Sequence, residues 1–268
     1  MSGKVVFVAV VAFSVSPVLA QIDSFTLTDG ALSYTERNLR TGGAGAGSGD
    51  FILDGTDHMF QNWWWFRAAN MGAEVALSNQ TFGSLSGANT ADLTYVEATG
   101  AGDLQFDFRY TLTSFNSDTR GDVDIDITVT NLSTQRIFFD IFSYTDFDLA
   151  GTFGGDSAVI GGAGNSRQLV SDGIVTGELI LSLAPGGWEI GAFPTIRDKL
   201  TNGTPDVLSN SGSPFGPGDY TGAFQFGDGL DPGETFTARL SKIVEIPEPS
   251  ALLALLVIAP AVLRRRAR

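Results

Sequence analysis

The chain lacks cysteine altogether, has one histidine and is short of positive charge. Without thiols there are no disulfides, thiolate zinc sites, iron–sulfur clusters or cysteine nucleophiles, so stability has to come from burial. The lone histidine, His58, rules out a multi-histidine metal site. A Ser-His-Asp triad would have to be built on that one residue, and no G-x-S-x-G elbow accompanies it. Beside Asp57 and Phe60, His58 reads as a hydrogen-bonded structural residue. Lys and Arg total 16 against 30 Asp and Glu, a formal charge of -14. Nucleic acid and anionic lipid surfaces repel so acidic a body, and no nucleic-acid partner is expected. A phosphate-cradling loop is missing too: Gly45-Ala46-Gly47-Ser48-Gly49 lacks the third glycine at the required offset and runs into Asp50 where a lysine is needed. No cofactor is expected.

Long apolar runs are equally scarce, and the two short ones sit at the ends of the 268 residues. Lys4 precedes the apolar stretch Val5 to Phe13, and Val18-Leu19-Ala20 supplies a small-residue cleavage site, the pattern of a signal peptide over residues 1–20. At the other end Pro247-Glu248-Pro249 is followed by Ala251 to Leu263, interrupted by Pro260, and then by Arg264, Arg265, Arg266 and Arg268. As a helix that run is roughly 20 Å long, against about 30 Å for a bilayer core. It is a short hydrophobic helix and a weak anchor, with its arginines on the cytoplasmic side. Losing both ends removes Lys4 and these arginines, which leaves the body more acidic still.

This order of triplet, apolar run and arginine cluster resembles the PEP-CTERM sorting signal of Gram-negative bacteria. The resemblance implies an exosortase that recognises and removes the tail, after signal peptidase has removed the leader. It also implies only transient membrane contact through the tail: an inner-membrane-anchored intermediate, then the cell surface or the extracellular space. The chain therefore divides into a signal peptide (1–20), an exported domain (21–244) and a sorting and anchor signal (245–268).

Between the signals the pattern is β. Val123, Ile125, Ile127 and Val129 alternate with Asp122, Asp124, Asp126, Thr128 and Thr130. Leu104, Phe106, Phe108, Tyr110 and Leu112 do the same against Gln105, Asp107, Arg109, Thr111 and Thr113, as do Phe236, Ala238 and Leu240 against Thr235, Thr237, Arg239 and Ser241. Each predicts a half-buried strand. Over Arg136 to Leu149 apolar residues fall on both sides, which predicts a central strand covered on both faces. Gly42 to Gly49, Gly151 to Gly155, Gly161 to Gly164 and Asp231-Pro232-Gly233 punctuate the runs. Thr195 to Asn202 is the one short helical segment expected inside the body. The fold class is all-β, a large antiparallel β-sandwich in one domain, with no repeat of fixed period.

The densest stretch is Asp57 to Arg67, containing Trp63, Trp64 and Trp65 in succession. Tryptophan faces stack on sugars, and Gln61, Asn62 and Arg67 offer hydrogen bonds to hydroxyls, so Trp63, Trp64, Trp65 and Arg67 are candidate glycan contacts. The competing reading is packing, because a strand puts Trp63 and Trp65 on one face and Trp64 on the other. Together with Asn131-Leu132-Ser133 and Phe142 to Leu149, this stretch also resembles a group of exported PEP-CTERM proteins, which implies an all-β body and names no catalytic residue.

Carboxylates are the remaining candidates. Asp146, Asp148 and Asp156 flank a glycine-rich turn and are weak calcium candidates, against turn capping and surface charge. Asp122, Asp124 and Asp126 imitate the start of an EF-hand loop, but Ile127 stands in place of the glycine and Ser133 in place of the closing glutamate, so a solvated strand face is expected. Glycoside chemistry needs only two carboxylates, which 30 acidic residues do not single out. The sequons at Asn79, Asn131 and Asn202 read as turn residues, since a bacterially sorted chain does not meet eukaryotic glycosylation. The function expected from sequence is a non-enzymatic exported protein of the cell envelope or extracellular matrix, in contact with exopolysaccharide. The alternative is a carbohydrate-binding module or carbohydrate-active enzyme that uses the Trp63 to Trp65 cluster.

Overall fold

The computed structural model describes residues 20–116 and 118–247. Residues 1–19 of the expected signal peptide and the tail from Glu248 onward, with Pro249, Arg264, Arg265, Arg266 and the expected short helix, lie outside the described residues. Among the described residues no helix is long and apolar enough to cross a membrane.

Two nine-stranded antiparallel sheets face each other, the β-sandwich that the alternating runs predict. The first carries, side by side, Ser24–Asp29, Leu32–Arg37, Ser48–Leu53, Met59–Ala68, Ile137–Phe147, Tyr220–Leu230 and Gly187–Ala192. The short strands Thr56–Asp57 and Val75–Ala76 pair beside that path. The second carries Phe215–Gly218, Asp156–Gly161, Arg167–Asp172, Val175–Leu181, Thr235–Glu245, Arg120–Asn131, Asp103–Phe115, Thr90–Ala98 and Gln80–Leu85. Thr195–Thr201 forms the expected helix.

The inner faces meet through aromatic rings. Phe25 packs on Tyr110, Trp64 on Phe108 and Phe66 on Phe106, each pair with ring centroids 5.1 Å apart. Phe139 and Phe226 close on Phe236. Each fully buried aromatic contributes about 1.5–3 kcal/mol, so this seam is a main source of stability in a chain without disulfides. The strand Ile137–Phe147 lies between Met59–Ala68 and Tyr220–Leu230 and is buried on both faces from Ile141 onward.

A polar network built on Lys242 crosses the interior. Lys242 continues the inward face of Thr235–Glu245 and is fully buried. Its ammonium donates to Asn62 Oδ1 and to Thr145 Oγ1 at 2.9 Å. Asn62 in turn donates to Glu36, which also accepts from the Tyr34 hydroxyl. Burial pushes the Glu36 carboxyl up and the Lys242 ammonium down, to about 7.

Candidate functional site

Along Ile137–Phe147 the inward residues belong to the sandwich core, whereas Asp140, Phe142, Tyr144 and Asp146 point away from it. Residues 193–214 fold over that outward face. Ile196, Leu200 and Leu208 bury their side chains there, and the Leu208 N–H donates to Gln225 Oε1 at 2.9 Å. Lys199 reaches Glu189 at 2.7 Å, which ties the helix to the sheet's edge strand. Two clefts remain open, one near Asp140 and one near Asp146, about 20 Å apart along the strand at ~3.3 Å per residue.

The larger, about 610 Å³, is lined by Arg67, Met71, Phe138, Asp140, Pro205 and Asp228, among others. Arg67 is already committed: it pairs with Glu74 at 2.6 Å and Asp140 at 3.3 Å, and donates to the Asp206 carbonyl. Here it organises the cleft wall as much as it offers a contact.

The smaller cleft, about 230 Å³, gathers the carboxylates whose protonation the fold disturbs. Phe60, Phe153 and Phe193 form its rim, and Asp146, Asp148 and Asp219 its floor. Phe153 is 75% exposed, and Phe60 and Phe193 meet edge to face at 5.9 Å. One oxygen from each carboxylate can be chosen so that all three lie within 4.8 Å of one another. The chain brings them together by strand pairing: Asp146 sits at a register break opposite Thr221, and Asp219 immediately precedes Tyr220–Leu230. Asp148 is held by its N–H to the His58 carbonyl at 3.1 Å. The next turn is pinned by the Ala150 N–H, which donates to His58 Nδ1 at 3.1 Å with Ala150 at φ 56. His58 is thus the structural residue expected from its neighbours.

Burial, then repulsion from Asp148 and Asp219, pushes the Asp146 carboxyl up to about 8. Asp148 is pushed to about 6 by burial and by Asp219, and burial raises Asp219 as well. Asp146 is 1% exposed; its Oδ2 accepts from the Tyr144 hydroxyl at 3.3 Å, while Oδ1 has no partner. Such a group costs free energy where it is and pays for itself only through a ligand or proton that it meets.

Asp146 and Asp148 of the expected calcium group therefore do converge, but Asp156 does not join them. It opens a strand of the second sheet, fully buried, with both carboxylate oxygens unpartnered and its carboxyl pushed up to about 8 by burial and Asp172. Asp219 takes its place. No local signal marks Asp219, because its neighbours come from a strand far away in the chain. Asp122 and Asp126 pair with Arg120 and Arg239 on the outer face of the second sheet, and Asp124 accepts from Ser241, the solvated face expected.

The tryptophan platform is corrected by burial. Trp63, Trp64 and Trp65 are each no more than 1% exposed. Trp63 donates to the Leu77 carbonyl at 3.1 Å and Trp64 to the Tyr110 hydroxyl at 2.9 Å, and Trp65 meets Tyr144 edge on. No ring face is left for a sugar, because the residues on both sides of this strand supply tertiary partners.

No protein-family model matches the sequence, and no curated protein matches it either. Solved structures do match in fold. A proposed aldose 1-epimerase from Escherichia coli K12 superposes with a TM-score of 0.56 at 10% identity, over 84% of this chain and 99% of that one. A galactose mutarotase related enzyme from Lactobacillus acidophilus gives 0.51 at 8% identity, over 84% and 100%. A bacterial glucoamylase complexed with acarbose gives 0.51 at 8% identity, over 79% of this chain and 30% of the glucoamylase. At such identities the likeness establishes the fold alone. It runs against the expectation of a non-enzymatic matrix component, which rested on the missing catalytic motifs and on the family resemblance, because the proteins that share this fold are named as an aldose 1-epimerase and a galactose mutarotase related enzyme.

Proposed function

We propose that the chain is a carbohydrate-active enzyme that takes a saccharide into the cleft between Phe60, Phe153 and Phe193. The observation that carries this reading is the juxtaposition of an aromatic rim with three converging carboxylates. The apolar faces of a sugar ring stack on aromatic side chains, and carboxylates accept hydrogen bonds from its hydroxyls. Carboxylates in pairs are also the groups that exchange protons with ring, anomeric and glycosidic oxygens. The volume, about 230 Å³, suits one sugar ring at the floor with any further residues outside. The fold likeness to the proposed epimerase and to the mutarotase related enzyme supports the same substrate class.

The test is turnover by the purified body, residues 21–247. Polarimetry follows anomer interconversion of free aldoses, and a reducing-end assay follows glycan cleavage. Activity that is lost in Asp146→Asn and weakened in Phe153→Ala supports the reading; no turnover across a broad panel of aldoses and glycans overturns it.

We propose further that the enzyme works outside the cytoplasm, delivered by the leader and released by an exosortase at the tail. Intact mass of the surface form, with and without that enzyme, checks this. Retention of Arg264 to Arg266 in the surface form refutes it.

A further inference from the structure

We infer that Asp146, Asp148 and Asp219 together bind a calcium ion. The inference rests on the proposed function only in sharing the cleft, since the ion would bind whether or not a saccharide does. A calcium ion takes oxygen ligands at about 2.3–2.6 Å, so two oxygens on one ion lie at most about 5 Å apart. The three carboxylates meet that limit without movement, their ligand oxygens lying within 4.8 Å of one another.

An independent observation points to a ligand here. Asp146 Oδ1 is buried, has no hydrogen-bond partner, and belongs to a side chain that lines the cleft. A carboxylate in such a place needs either a proton or a cation. The charge count favours a divalent cation. Once a cation displaces the proton that burial holds on Asp146, the three carboxylates carry three negative charges, against which the field of Arg197, seated over the Phe193 ring at 4.4 Å, sets one positive charge. The remainder is two negative charges.

The donor set selects among metals. It is all carboxylate, with no cysteine anywhere in the chain and with the only histidine turned to a backbone N–H, which suits a hard cation over zinc or copper. The open side of the cleft leaves coordination positions for water or for sugar hydroxyls. Rigid placement is supplied by strand pairing at Asp146 and by the His58 anchor at Asp148.

The experiment is calcium titration of the wild-type body by calorimetry in the absence of any saccharide, together with thermal melts and sensitised terbium luminescence. The expected result is saturable binding, a melting temperature that rises with calcium, and terbium emission that calcium displaces. Asp219→Asn should weaken binding at least tenfold and abolish the thermal shift; Asp219 is partly exposed, which keeps this variant foldable. No binding up to about 10 mM, tenfold above the weakest extracellular calcium modules, overturns the inference. Magnesium binding without calcium binding overturns it too. Calcium binding without sugar turnover leaves the ion site standing and removes the enzyme reading, whereas turnover that ignores chelator, with no calcium bound, does the reverse.

Discussion

Lys242 gives the sharpest test of the interior. Its ammonium sits between the sheets on Asn62 and Thr145, and burial lowers its pKa from 10.5 to about 7. Above that value the native protein has released the proton while the unfolded chain still holds it. The unfolded state then binds more protons, so stability rises with pH from near 7 until the unfolded lysine titrates at 10.5. A full one-proton difference is worth about 1.4 kcal/mol per pH unit. From about pH 7 to about pH 9, starting half titrated, Lys242 should add about 2 kcal/mol to the unfolding free energy. Other groups titrate in this range, so the quantity to compare is the difference between wild type and Lys242→Met. The charge whose field reaches the ammonium is Glu36, and Tyr34 and Tyr110 in turn neighbour Glu36. The tyrosines are raised by burial and keep their protons throughout the window. Glu36 loses a favourable cation in the variant, which pushes its carboxyl in the direction that burial already does. Glu36→Gln with Lys242→Met removes both groups and serves as a second reference. Urea unfolding at three pH values across the window supplies the free energies. A wild-type minus variant difference that stays constant within about 0.5 kcal/mol would refute the assignment of a proton-poor lysine to the core.

The remaining predictions concern the corrected tryptophans, the rim and the backbone. Trp64→Ala should cost about 3–5 kcal/mol in chemical denaturation, because it empties a site packed on Phe108 and strands the Tyr110 hydroxyl; a loss below about 1 kcal/mol would mean the ring is not a core residue. Phe153→Ala, at a ring 75% exposed, should leave stability within about 0.5 kcal/mol while weakening saccharide capture, measured as a rise in KM. Gly212→Ala should destabilise by at least about 1–3 kcal/mol from backbone strain alone, since Gly212 has φ +93 and an added Cβ would lie 1.7 Å from the Ile190 carbonyl oxygen; equal unfolding midpoints for the two proteins would contradict the placement of the strap over residues 193–214.

Much of the sandwich was legible because strand alternation is a local property. Val123 to Val129 and Leu104 to Leu112 face inward as their period-two pattern requires, and the both-faced apolar run around Phe142 does lie at the centre of its sheet. The same phase carries Lys242 to the inside, two residues after Leu240, but only the facing sheet could provide Asn62 and the Glu36 network that hold it. For the tryptophans sequence supplied the strand and left open which neighbours cover each face; Tyr110, Leu77 and Tyr144 settle that, and none of them lies on the same strand. The candidate site followed the same division. Asp146 and Asp148 stood out beside a glycine-rich turn, whereas Asp219 and the rim of Phe60, Phe153 and Phe193 come from separate strands and loops. By itself the sequence determined an acidic, thiol-free, two-faced β body between two short apolar runs. Tertiary structure alone decided which carboxylates share one cleft and which aromatics are spent on the core, because proximity between distant strands is set by register and packing and leaves no periodic trace.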